Sequence, residues 1–263
     1  MDLELTGTVA VVTGASRGIG RAVATGLAAE GASLVLAARE AARLDQAVAE
    51  LSAEFGVGAL AVPGDLSEPS APARVIEAGL ERFGRIDTLV NVAGSTMQGR
   101  IGELSDEDWA TAFGLKFMGA VRGIRAVLPH MRERGSGCVV NIGGVAGWQP
   151  GPTQLAIGAV NAALFNLTRG LAREAAAEGV RVNTVVPGMT DTDRFRKRLN
   201  ARVEAEGRPE AEVFAAMVSE VPDGRPGRPE EVAAAVAFLA SPRAAHINGV
   251  VLEIDGGQTR GMH

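Results

Sequence analysis

The chain has 263 residues, 46% of them hydrophobic, and a formal net charge of −5. That length fits one large α/β domain over 1–263, and no linker-like or low-complexity block divides it. The acidic balance argues against sequence-independent nucleic-acid binding, and the single cysteine, Cys138, excludes an intrachain disulfide.

One lone cysteine also fits a reducing, cytoplasmic setting. The first residues are acidic and lack the basic-then-apolar pattern of a secretory signal. No uninterrupted run of about 18 apolar residues occurs, so no membrane span is expected.

A β-rich apolar run over 8–13 is followed at once by Gly14, and a helix is predicted over 18–30. Strand and helix then alternate: strand 33–37, helix 40–55, strand 59–63, helix 72–83, strand 88–91. A long helix opens at Ser105, with Asp108 as its capping partner, and reaches about residue 132. Strand 137–142, a Gly/Pro-rich loop and an alanine-rich helix to about residue 177 follow, then strands 180–186 and 250–254. Nearly all-apolar strands alternating with helices predict a Rossmann-type, doubly wound, seven-stranded parallel sheet covered on both faces. The stretch 190–225 breaks the rhythm. It is long and charged, it follows a strand's carboxyl end, and it reads as a substrate lid or as a solvated helical excursion.

Gly14, Ser16, Arg17, Gly18, Ile19 and Gly20 lie between the first strand and the first helix. Glycines there let the backbone turn tightly and approach a diphosphate, which the helix N-terminus stabilises. About twenty residues on, the second strand ends at Arg39 rather than at an acid. Arginine suits the 2′-phosphate of NADP(H) where an acid would grip the ribose of NAD(H), and Arg17 adds a second positive charge. The expected cofactor is NADP(H) in preference to NAD(H).

With these features the chain resembles the short-chain dehydrogenase/reductase family nearly end to end. The glycine loop matches that family's cofactor loop, and Asp65-Leu66 stands where the family caps the adenine. Asn91-Val92-Ala93-Gly94 is similar to its strand-four motif. Pro187-Gly188, with Thr192 at the family's offset, is similar to the segment facing the nicotinamide. The matches at Arg228-Pro229-Glu230-Glu231 and Asp255-Gly256-Gly257 extend the likeness towards the C-terminus.

The resemblance implies four catalytic residues: a tyrosine, a lysine four residues later, a serine thirteen residues before the tyrosine, and an asparagine on the preceding long helix. Here the serine position is Gly144, the tyrosine position Ile157, the lysine position Asn161 and the asparagine position Lys116, and the chain contains no tyrosine at all. Carried over residue by residue, the family's proton transfer is not expected. Lys116 either restores a cation near the nicotinamide ribose, with a depressed pKa, or snorkels to solvent. Gln154, three residues before Ile157, either hydrogen-bonds substrate or serves its loop.

No metal site is expected. His130, His246 and the terminal His263 read as structural or incidental. Three functions remain open: an enzyme with altered chemistry on a small biosynthetic metabolite (isomerase, dehydratase, cyclase or atypical oxidoreductase), a pseudo-enzyme subunit beside an active relative, or an NADP(H) sensor or scaffold. Expected partners are a small molecule and further subunits, as a homodimer, a homotetramer or a hetero-oligomer with an active relative, with no nucleic acid and no membrane.

Overall fold

The computed structural model describes residues 2–94 and 97–260; His263 lies outside them. Seven strands form one all-parallel sheet: β1 (Val9–Thr13), β2 (Ser33–Ala38), β3 (Ala59–Pro63), β4 (Thr88–Asn91), β5 (Gly137–Ile142), β6 (Val180–Pro187) and β7 (Val251–Ile254). Their order is β3-β2-β1-β4-β5-β6-β7, so the direction of winding reverses between β1 and β4. A parallel sheet needs crossover connections, which lay helices on both faces and bury the strands on both sides. All five residues of β1 are accordingly buried.

One face is covered by α1 (Gly18–Ala29), α2 (Ala41–Phe55) and α9 (Pro229–Ala240), which contribute Leu27, Leu44 and Val236 to its core. The other carries α3 (Ala71–Phe83), α5 (Gly119–Glu133) and α6 (Leu155–Ala175), with Ile76, Val127 and Leu171 inside. The stretch of α6 continued to Glu178 is long and apolar enough, by length and composition, to cross a membrane. Counting uninterrupted apolar runs overlooks it. Half of that stretch is buried in the fold, as in the core helix of a globular domain.

The long helix expected from Ser105 is three pieces end to end: α4 (Asp106–Ala112), a π-helical stretch Phe113–Met118, and α5. Its capping box forms as predicted, with Ser105 N donating to Asp108 Oδ2 at 2.9 Å and Asp108 N to Ser105 Oγ at 3.2 Å. Within 190–225 lie two helices, α7 (Asp193–Glu206) and α8 (Glu210–Val218), joined by a small core of Phe195, Leu199, Val213 and Met217. The region is thus ordered helix over much of its length.

Candidate functional site

The loops that leave β1, β4, β5 and β6 meet at the carboxyl end of the sheet. Gly14 has φ +67, and a Cβ on it would stand 3.1 Å from the Ala93 backbone, so the loops after β1 and β4 touch. Thr13 Oγ1 binds them together, accepting from Val92 N (2.9 Å) and Ala93 N (3.2 Å) while donating to Val90 O (3.3 Å). A Cβ on Gly20 would lie 2.2 Å from Gly14 O, which only glycine permits. Helix α1 begins with an extended Arg17, no side-chain cap and no acid in its first turn. Its first amide groups are therefore left for an anion, with the positive end of the helix behind them. Ser16 and Gly18 are partly exposed on this loop, and the Ile19 side chain packs on the core. This backbone fits a dinucleotide diphosphate.

The rim beyond it is basic. Arg39 is exposed at the end of β2 and makes no ion pair among the described residues. Arg17 reaches Glu40 at 3.8 Å, a carboxylate that also meets Arg43 at 3.0 Å. Asp65 accepts from Ser67 N (2.9 Å) and Ser67 Oγ (2.7 Å); these bonds, with Arg39's charge, hold its carboxyl below the usual range. Leu66 is buried. It joins Asn91, Ala93, Leu115, Lys116 and Gly119 in lining a crevice between the sheet and α5.

The inner wall is polar in a continuous line. Asn91 Nδ2 donates to Asn141 Oδ1 (2.9 Å), Asn141 Nδ2 to Thr168 Oγ1 (3.0 Å), and the Thr168 and Thr184 hydroxyls are hydrogen-bonded to each other (2.7 Å). This buried chain links β4, β5, α6 and β6, and it fixes the strand ends relative to one another.

Lys116 projects from the π-helical stretch, where the backbone bonding pattern is shifted by one residue; such bulges concentrate at functional sites. Its stem crosses Gly94, since a Cβ there would lie 3.0 Å from Lys116 Cδ. Its Nζ donates to Gly143 O at 3.1 Å, past the end of β5. The residue as a whole is only half-buried, but its ammonium end is inside the protein. Burial, helped by repulsion from Arg194, brings the ammonium down to about 7. The side chain therefore does not snorkel. An amine that titrates near neutrality can both give and take a proton.

Facing it, a Cβ on Gly144 would stand 3.1 Å from Asn161 Nδ2. Asn161 is 2% exposed and its Oδ1 has no hydrogen-bond partner among the described residues. Ile157 is partly buried one helical turn earlier on α6. Gln154 turns its carbonyl to Gly151 N (3.0 Å) at the start of α6, so that group serves the loop. Pro187-Gly188 ends β6 against the C-terminal segment, a Cβ on Gly188 falling 2.7 Å from Asp255 Cβ. Thr192 caps α7, and its Cγ2 lies 3.5 Å from where a Cβ on Gly18 would be.

The sequence reading passed over two features. Arg194, in the first turn of α7, is the charge that repels Lys116 and is itself repelled by Arg17. The signal was present only as one more arginine in a charged stretch. Helix α9 was also missed, although Pro229 at its first position and Glu231, whose carboxylate accepts from Arg228 N at 2.7 Å, are start signals.

Comparison with known proteins agrees with this architecture. A family model described as Enoyl-(Acyl carrier protein) reductase matches residues 14–259. The 3-oxoacyl-[acyl-carrier-protein] reductase FabG of Vibrio cholerae is 37% identical over 97% of this chain and 98% of its own. The crystal structure of L-sorbose reductase from Gluconobacter frateurii, complexed with NADPH and L-sorbose, superposes with a TM-score of 0.96 at 35% identity, over all of both chains. That of YwfH, an NADPH-dependent reductase involved in bacilysin biosynthesis, does so with a TM-score of 0.91 at 27% identity, over 97% of this chain and 99% of its own.

Proposed function

The chain belongs to the short-chain dehydrogenase/reductase family, and on that premise we propose that it is an NADP(H)-dependent oxidoreductase of a small carbonyl or hydroxyl metabolite in which Lys116 moves the proton. The observation that carries this reading is the inward Lys116 ammonium, bonded to Gly143 O and titrating near neutrality. The positions where the family resemblance implies serine, tyrosine and lysine hold Gly144, Ile157 and Asn161, which offer no acid at neutral pH.

The dinucleotide, when bound, supplies hydride transfer to or from carbon. The glycine loop and the α1 N-terminus hold its diphosphate, and Arg39 and Arg17 its 2′-phosphate. The unpaired Oδ1 of Asn161 accepts a ribose hydroxyl. In the reducing direction the Lys116 ammonium would give its proton to the carbonyl oxygen, which stays on its carbon and becomes the product hydroxyl, and the amine would regain a proton from solvent. The segment 190–225 closes over the substrate as a lid.

The supporting comparisons are reductases, two of them named for NADPH. Purified protein is expected to consume NADPH with members of a panel comprising a ketose such as L-sorbose, a 3-oxoacyl thioester and a cyclic diketone. Lys116→Met should lower turnover by about 10²- to 10⁴-fold, the usual contribution of a positioned acid. Turnover of a substrate without loss of reduced-nicotinamide absorbance would instead establish the non-redox alternative. Inactivity that is relieved only by a co-purifying relative would establish the subunit alternative.

A further inference from the structure

Two helix starts converge at the mouth of this site. The glycine loop opens α1, and Thr192, in contact distance of Gly18, opens α7. Arg194 is the second residue of α7, two along from Thr192, and is close enough to Arg17 for the two charges to repel. Neither arginine has a close carboxylate partner: Arg17 meets Glu40 only at 3.8 Å, and Arg194 forms no ion pair among the described residues. The acids beside Arg194 form no ion pair with it: Asp191 is held by the Arg196 guanidinium, and Asp193 meets no cation among the described residues.

Like charges gathered with only one distant counter-charge raise the free energy of the empty site, and an anion between them lowers that cost. We propose that Arg194 is the second jaw of the dinucleotide site, gripping the diphosphate from the lid side while the glycine loop holds it from the sheet side. This inference rests on the dinucleotide reading above and adds to it a residue and a cause for lid closure.

The cause is electrostatic. Arg194 lies open to solvent along part of its length, yet it is desolvated enough, with Arg17 close by, for its guanidinium to be pushed below its ordinary range. A diphosphate brings about two negative charges to that spot and holds the first turn of α7 against the loop. It also offsets the repulsion that Arg194 exerts on Lys116 and so raises the proton affinity of the amine, while burial, the larger cause, still holds it below its ordinary value. A substrate carboxylate could meet the same guanidinium, but Arg17 and the Thr192–Gly18 approach put Arg194 on the diphosphate side of the crevice.

The experiment is a set of titrations on the intact protein with NADP⁺, NAD⁺ and adenosine 2′-monophosphate, which lacks the diphosphate. Arg194→Met should weaken both dinucleotides by the same factor, about 10- to 100-fold, and leave the mononucleotide unchanged. Arg194→Lys, which keeps the charge, should recover part of the loss. Trypsin supplies a readout independent of affinity: saturating NADP⁺ should protect the arginine-rich lid of the parent protein and leave that of Arg194→Met open.

Equal dinucleotide affinity in parent and Arg194→Met would overturn the assignment while leaving the dinucleotide reading intact. An unchanged dinucleotide affinity with a raised KM for an anionic substrate would move Arg194 to the substrate side and overturn it as well. Failure of the parent itself to bind any dinucleotide would sink the underlying reading instead.

Discussion

The Asn161 amide fills the space that a side chain on Gly144 would take, 3.1 Å from the position of that missing Cβ. The two residues are therefore coupled: the small one makes room for the polar one. The arrangement leaves Asn161 Oδ1 buried without a partner among the described residues. An unsatisfied buried acceptor costs about 1–3 kcal/mol. Asn161→Leu removes the acceptor and keeps the branched outline of the side chain, with Gly144 leaving space for the bulkier methyls, so urea unfolding should show a gain of about 1–2 kcal/mol. NADP⁺ affinity should fall at the same time, because the ribose hydroxyl loses its acceptor. A less stable Asn161→Leu would show that the amide is already satisfied in solution.

Lys116 gives stability a pH dependence whose sign can be worked out. Its ordinary value is 10.5 and burial, with Arg194, brings it to about 7. Between these values the unfolded chain holds a proton that the folded chain has lost, so this group makes stability rise with pH across that window. Below the folded value both states are protonated, and the full cost of burying the charge is present. Lys116→Met carries no such cost. It should be more stable than the parent at about pH 6, with the advantage shrinking from about pH 7 towards 10. Paired urea melts of the two proteins across that range check this. A constant difference at all pH values would mean that the amine titrates like an exposed lysine.

The sheet was legible because its strands are short apolar runs bounded by glycine, and burial on both faces demands that pattern. Val9–Thr13 and Gly137–Ile142 declare themselves in this way. The glycine loop was legible for a related reason, since Gly14 and Gly20 answer steric demands that no other residue meets. Lys116 was readable only as a choice between pocket and solvent. The π-helical shift over Phe113–Met118, which helps set the direction of its side chain, leaves no mark on hydrophobic periodicity. Arg194 was not readable as a site residue. Its meaning depends on Thr192 meeting Gly18 across more than 170 residues of chain, and sequence pattern carries no record of that contact.

Arg39 decides between the two dinucleotides. It is exposed at the end of β2, unpaired among the described residues, and its charge is felt at Asp65. Such a guanidinium is free to take a 2′-phosphate. Arg39→Asp should weaken NADPH by about 10- to 100-fold and leave NADH unchanged or tighter, since a carboxylate there accepts the ribose hydroxyl. Separate calorimetric titrations of the two reduced cofactors decide it. Equal affinity of the parent protein for both would remove Arg39 from the site.

Lys116, Gly144, Ile157 and Asn161 should behave as one unit. Gly144→Ser alone sets its Cβ against the Asn161 amide, whose neighbour Gly147 leaves little room, a Cβ there falling 2.8 Å from Asn161 Cβ. Asn161→Lys alone places a second ammonium near Lys116, and two like charges at close range depress each other's proton affinity. Ile157→Tyr alone supplies a phenol without a lysine one helical turn later on α6 to lower its pKa from about 10. Only the combination of Gly144→Ser, Ile157→Tyr, Asn161→Lys and Lys116→Asn provides the hydroxyl, the acid, the cation that tunes it and relief from the crowded charge. NADPH consumption with the carbonyl panel should therefore rise at least about 10-fold over the best single variant, a non-additive gain expected of groups that act on one proton. If Ile157→Tyr alone matched the quadruple variant, the four positions would be independent, and Lys116 would not be the group that replaces the tyrosine.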